Sequence, residues 1–168
     1  MQITQFRTSQ TSEITALYAH YVGTTAITFD LDPPSESQMA EKLHGLLHDG
    51  YPVLVATNDS NKLAGYAYAS SYRPKRAYQH SAEVTIYVDP AAQGQGVGSA
   101  LMNALIEALQ AAEQFHLAIA MIADDAKASI KLHQKFGFKK VGYLPEVGRK
   151  FNKWHGVSIL QRSLSKIP

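Results

Sequence analysis

The chain predicts a mixed α/β fold: one central sheet with antiparallel and parallel parts, flanked by helices. Three observations carry that prediction. Residues 53–56 and 63–69 are β-rich runs on either side of Asn58-Asp59-Ser60-Asn61, the pattern of an antiparallel hairpin. The alternating run Val84, Thr85, Ile86, Tyr87, Val88 is followed by a helical stripe of Leu101, Leu105 and Leu109. The apolar run 117–122 is followed by a second helix, and helices in these two places are crossover connections that join parallel strands.

In chain order, residues 3–7 alternate and read as a short strand. Ile14, Leu17, Tyr18, Tyr21 and Val22 recur at helical spacing. Residues 23–29 leave that pattern and read as extended. Ser35 and Gln38 then stand at capping-box spacing, and Met39, Leu43, Leu46 and Leu47 give the buried face of a helix closed by Asp49-Gly50. Gly65, inside the second strand of the hairpin, marks a bulge or a close approach. Ile130, Leu132, His133 and Phe136 form a short helix ended by Gly137, and residues 141–144 and 157–164 supply the closing strands. No linker, repeat or low-complexity segment interrupts the 168 residues, so a single domain over 1–168 is expected.

Composition removes several function classes. Hydrophobic content of 45% and charged content of 18% suit a globular protein, and a net charge of +2 is too small to argue for nucleic acid. Cysteine is absent, which excludes disulfides, cysteine zinc sites and cysteine nucleophiles. No apolar run approaches membrane-spanning length and the first residues lack a signal pattern, so a cytoplasmic protein with no membrane partner is expected. His44 and His48 stand at i, i+4 without a third ligand, so they read as a solvated helix face and no metal is expected.

The densest signal lies in residues 82–109. A strand, the loop Gln93-Gly94-Gln95-Gly96-Val97-Gly98 and a helix start follow one another. Glycines let the backbone approach a ligand and adopt positive φ, and free N–H groups at a helix start point at negative charge. The predicted ligand therefore carries phosphates. A Walker loop needs Lys-Ser/Thr after its last glycine, whereas Gly98 precedes Ser99-Ala100. The dinucleotide fingerprint needs a third glycine at Ser99 or Leu101, and neither frame fits. What fits is Q/R-x-x-G-x-G/A, here Gln93-x-x-Gly96-x-Gly98, which resembles the pyrophosphate loop of the GNAT superfamily of acyl-CoA-dependent acetyltransferases. The plain alternative is a glycine-rich turn capping a core helix; the flanking strand and helix weigh against it.

Further blocks narrow the resemblance. They are Thr24-Thr25 with Thr28-Phe29, Pro33-Pro34-Ser35, residues 51–56, residues 65–69, Tyr72-Arg73-Pro74-Lys75-Arg76-Ala77-Tyr78 and residues 83–98. Ser129-Ile130-Lys131-Leu132-His133 with Gly137-Phe138, and Val147-Gly148-Arg149-Lys150 with Trp154, complete the series. In this order they resemble the phosphinothricin N-acetyltransferase and methionine sulfone/sulfoximine acetyltransferase branch over nearly the whole length.

The resemblance implies the GNAT fold and direct acetyl transfer from acetyl-CoA to the α-amine of a small amino acid analogue. It places acetyl-CoA against Ile86, Tyr87, Val88, Gln93, Gly94, Gln95, Gly96, Val97, Gly98, Ser129 and His133. It implies Glu83 as general base, the Val88 N–H as oxyanion donor, and His133 as the candidate acid for the leaving thiolate. Phe29, Arg73, Arg76, Tyr78 and Glu83 would surround the acceptor, and a homodimer would form. Read from the residues alone, Glu83 is first a solvated strand-entry glutamate, His133 as readily a packed core histidine, and residues 73–76 a solvated basic loop. A protein or peptide amine acceptor, and a non-catalytic acetyl-CoA-binding module, are the alternative functions. Two departures from the branch stand out, Ala126 where asparagine is usual and Trp154-His155-Gly156 where W-x-D is usual; His133, where many superfamily members carry tyrosine, is shared with the branch.

Overall fold

The computed structural model describes residues 1–164. Its strands are β1 (Gln2–Gln5), β2 (Val53–Thr57), β3 (Leu63–Ser71), β4 (Ser81–Val88), β5 (Leu117–Ala123), β6 (Lys139–Lys150) and β7 (Lys153–Ser163). Its helices are α1 (Thr11–Thr24), α2 (Glu36–His48), α3 (Val97–Ala111) and α4 (Lys127–Lys135). The strands join one sheet in the order β1-β2-β3-β4-β5-β7-β6. Neighbours are antiparallel except β4 and β5. That exception follows from α3, which carries the chain back before β5 begins. α4 makes the second crossover, and β7 fills the slot between β5 and β6.

Strand alternation divides the interior in two. Ala67, Ala69, Ala82 and Val84 face α3, whose Leu101, Met102, Leu105 and Leu109 are fully buried. Each such leucine contributes about 1.5–3 kcal/mol by leaving water. Val55, Tyr66 and Tyr68 point the other way, into a core built with Ile14, Tyr18, Met39 and Leu43 of α1 and α2. Gly65 has the close approach its position suggested. A Cβ there would lie 2.7 Å from the Tyr87 carbonyl oxygen and 3.2 Å from Leu101 Cδ1, and the register shift between Ala56 and Thr57 lies opposite.

α2 starts at the expected capping box: Ser35 Oγ accepts from the Gln38 N–H at 3.2 Å, and Gln38 Oε1 accepts from the Ser35 N–H at 2.9 Å. Residues 23–29 differ from expectation. α1 runs on to Thr24, and the rest is a loop held by side chains instead of a ladder. Tyr18 OH meets Thr28 Oγ1 at 2.9 Å and donates to Asp30 at 2.5 Å, while the Lys150 ammonium donates to the Thr28 carbonyl at 2.8 Å. The β1 strand is shorter than read, ending at Gln5, and β6 and β7 are longer. Phe151 and Asn152 join these two strands with φ of 50° and 58°, the geometry of a primed hairpin turn. Residues 165–168 of the expected domain lie outside the described residues. Among the described residues no helix is long and apolar enough to cross a membrane.

Candidate active site

The site is built where β4 and β5 part. Their parallel pairing covers only Ser81, Ala82 and Glu83 against Leu117, Ala118 and Ile119. β4 continues to Val88 without β5, and a cleft opens between them. The Asp89 N–H bonds the Ala64 carbonyl at 2.9 Å, so antiparallel alternation turns the main-chain groups of Ile86 and Val88 away from β3, toward that cleft. Tyr21 OH takes the Val88 carbonyl at 2.5 Å and itself accepts from Gln93 Nε2 at 3.2 Å. The hydroxyl thereby ties α1, β4 and the glycine loop together.

The loop after β4 is shaped by its glycines. Asp89 caps a single turn by accepting from the Ala91 N–H at 2.7 Å, and Gly94 and Gly96 follow with φ of 75° and 83°. Gly96 immediately precedes α3 and offers no capping side chain, so the first N–H groups of a 15-residue helix remain available. Gly94, Gly96, Val97, Gly98 and Ser99 line a cavity of about 660 Å³ there. Gly98 has a different reason to be glycine. A Cβ on it would meet Leu132 Cδ2 at 3.2 Å and Val88 Cγ2 at 3.5 Å, so the bare Cα lets α3 pack on α4 and β4.

A second cavity, of about 550 Å³, lies on the α1/α2 face and includes Phe29, Tyr68, Arg73, Glu83 and His133. The two cavities share Ile27, Ile86, Tyr87, Ala126 and Ser129, so they meet on the outer half of β4. Burial raises the Glu83 pKa, and Arg73 and then Lys42 pull it back. His133 is buried, with Nδ1 2.8 Å from the Ser129 carbonyl. A carbonyl only accepts, so Nδ1 bears the hydrogen and Nε2 a lone pair, which has no partner among the described residues. Burial also lowers the His133 pKa, against the opposing effect of the Ser129 bond.

The expected residues are not all brought together. Phe29, Arg73, Glu83 and His133 line the second cavity, and Val88, Gln93, Gly94, Gly96, Val97 and Gly98 line the first. Gln95 stands apart from that lining: its side chain turns back to donate to the Ala91 carbonyl at 2.9 Å, on another face of the loop. Arg76 and Tyr78 also stand apart from these groups. They lie in a single turn outside the cavity lining, and Tyr78 packs edge-on against Tyr72. Tyr21 and Tyr68 were legible only as core, because a tyrosine on a buried stripe gives no sequence sign of where its hydroxyl points. The departures from the branch also have a local account. Asp124 accepts from Tyr143 OH and from the Gly156 N–H, each at 2.9 Å, and a Cβ at Gly156 would overlap the Tyr143 hydroxyl and the Asp124 carboxylate. Asp125 faces His155 at 3.4 Å, so neither aspartate stands in for an amide donor at Ala126.

A glycine-shaped anion site at a helix start, joined through β4 to a cavity holding a half-buried glutamate, suits transfer between two bound reactants. Residues 14–138 match the acetyltransferase (GNAT) family. The chain belongs to that family. Among its relatives it is 46% identical over 153 residues to a phosphinothricin N-acetyltransferase of Streptomyces coelicolor, covering 90% of this chain and 89% of the relative. It is 32% identical over 151 residues to an L-methionine sulfoximine/L-methionine sulfone acetyltransferase of Pseudomonas paraeruginosa, with 90% and 87% covered. A crystal structure of a GNAT superfamily phosphinothricin acetyltransferase from Sinorhizobium meliloti in complex with AcCoA superposes with a TM-score of 0.93 at 33% identity, covering 96% of this chain and 87% of the other.

Proposed function

We propose that the protein moves the acetyl group of acetyl-CoA to the α-amine of a small amino acid analogue with a tetrahedral, oxygen-bearing head. Phosphinothricin, methionine sulfoximine and methionine sulfone are the examples that its relatives' names supply. The single observation that carries this reading is the meeting of the two cavities on Ile86 and Tyr87, with Glu83 on the side away from the glycine loop. The glycine-loop cavity suits acetyl-CoA because its pyrophosphate would face the uncapped N–H groups of α3. Arg73 supplies the acceptor cavity with a planar fork of donors for a carboxylate or phosphinate, and Phe29 an apolar wall.

In the transfer, Glu83 takes a proton from the acceptor ammonium, directly or through water. The neutral amine attacks the thioester carbonyl carbon, the C–N bond forms and the C–S bond breaks. The Val88 N–H supports the charge that gathers on the carbonyl oxygen. The nitrogen gives up its second proton to solvent as the amide forms, and coenzyme A leaves as a thiolate that is protonated from solvent. Neutral His133 carries its hydrogen on Nδ1, so it has none to give from Nε2. The buried, unpartnered lone pair on Nε2 instead favours His133 as a second candidate for the base. Dependence on this acetyl donor favours a place in the cytoplasm.

A homodimer belongs to the same reading. Its support is the edge hairpin β6–β7, where Val141, Tyr143, Val147 and Trp154 are exposed beside the acceptor cavity that Leu144 and Val147 help to line. The deciding experiment for the function is free coenzyme A release with phosphinothricin, methionine sulfoximine and methionine sulfone. Failure of all three would reject the acceptor class.

A further inference from the structure

We infer that the Tyr68 hydroxyl is a specificity-determining donor to an oxygen of the acceptor's head, and that Lys42 is the residue that orients and polarises it. This rests on the acceptor reading given above and extends it to a hydroxyl read from the sequence only as packing.

The inference follows from counting hydrogens. Lys42 Nζ lies 2.9 Å from Tyr68 OH. An ammonium can only donate, so the phenol oxygen is the acceptor in that contact. The phenolic hydrogen remains, and Tyr68 OH is bonded to no other described group. Tyr68 is buried but lines the acceptor cavity, so its unspent O–H is offered to whatever fills that cavity. Its place on the sheet suits the task. Tyr68 pairs in register with Thr85, two residues from Glu83 on the same strand face. The hydroxyl thus belongs to a neighbouring position along the cavity wall, and the head of such an acceptor stands several bonds from its amine.

Lys42 is suited to hold the hydroxyl. It reaches over from α2 with its ammonium 4.8 Å from the Tyr68 ring centroid and 5.9 Å from that of Tyr18. No carboxylate of a described residue lies within ion-pair distance of it. A charged donor on the phenol oxygen strengthens the remaining O–H as a donor, because hydrogen bonds in series polarise one another. Lys42 itself is not part of the cavity lining, so it acts through the tyrosine.

Steady-state kinetics with methionine sulfone and methionine, which differ only in the head oxygens, test the assignment. Tyr68→Phe keeps the ring and removes the hydroxyl. It is expected to lower kcat/KM for the sulfone by about 3–10-fold, the scale of one hydrogen bond, while methionine turnover and the KM for acetyl-CoA hold. Lys42→Met is expected to shift the same ratio by less, to add nothing to Tyr68→Phe, and to be rescued by Lys42→Arg. Additive losses in the double variant would overturn the role of Lys42. If the wild-type enzyme acetylates no oxygen-headed amino acid, both the acceptor reading and this assignment fall. If it acetylates the sulfone and Tyr68→Phe keeps the wild-type preference over methionine, only this assignment falls.

Discussion

Glu83 sits between opposing influences. Burial lifts its pKa, while Arg73 and, more weakly, Lys42 hold it down. In the proposed transfer the ionised form would be the base, so activity is expected to rise with pH through a value above that of an ordinary glutamate. Glu83→Gln is expected to cut turnover about 10²–10⁴-fold with acetyl-CoA affinity retained; near wild-type turnover would move the base to His133. Arg73→Ala removes the larger stabilising charge. The acid limb of the pH–rate profile should then move to higher pH, and an unmoved limb would show that another group sets it. His133 gives a stability counterpart. Its folded-state pKa is depressed by burial, so its contribution is present above about 6.5, the unfolded value, and is lost as pH falls through the lowered folded value. Denaturant melts of wild type and His133→Gln at neutral and mildly acidic pH check this, the wild type losing more on acidification.

At the level of elements, the glycine loop separates two causes that sequence alone merges. Gly96 is needed for its left-handed φ, and alanine there costs about 1–2 kcal/mol of backbone strain. Gly98 is needed for helix packing against Leu132. Calorimetric titration should find acetyl-CoA affinity lost in Gly96→Ala, and thermal melts should find the larger Tm fall in Gly98→Ala. The periodic elements were legible because burial on one face writes a period into the sequence. The stripe of Leu101, Leu105 and Leu109, the capping box at Ser35 and the hairpin around Asn58 all read correctly. The Phe151-Asn152 turn was not legible, because neither residue is glycine and the strands beside it lack clean alternation. Replacing the pair with Asn-Gly should stabilise the fold by about 0.5–2 kcal/mol in a denaturant melt. In the site, the glycines announced themselves by residue type, whereas Glu83 was singled out only through the family resemblance. Arg76 and Tyr78 were less legible, because a basic, aromatic run looks the same whether it folds toward a cavity or away.

For the whole molecule, the proposed homodimer makes a simple claim: sedimentation at micromolar protein should give about twice the 18.4 kDa chain mass, and Trp154→Glu should shift it to the monomer. A monomer alone at that concentration would reject the dimer. The parting of β4 and β5 has a different bearing. Only three residue pairs stitch β1–β4 to the β5, β7 and β6 half, so the sheet is two leaves joined by a short seam. Amide exchange should be fastest along the frayed margins of that seam and slow within each leaf. The glycine-loop cavity is lined by β4 on one side and by α4, which follows β5, on the other, so a ligand there would serve as a splint as well as a reactant. By mass action, acetyl-CoA at a hundred times its Kd would add about 2.7 kcal/mol of stability. The chain would then hold together best while it is loaded and loosen after each turnover.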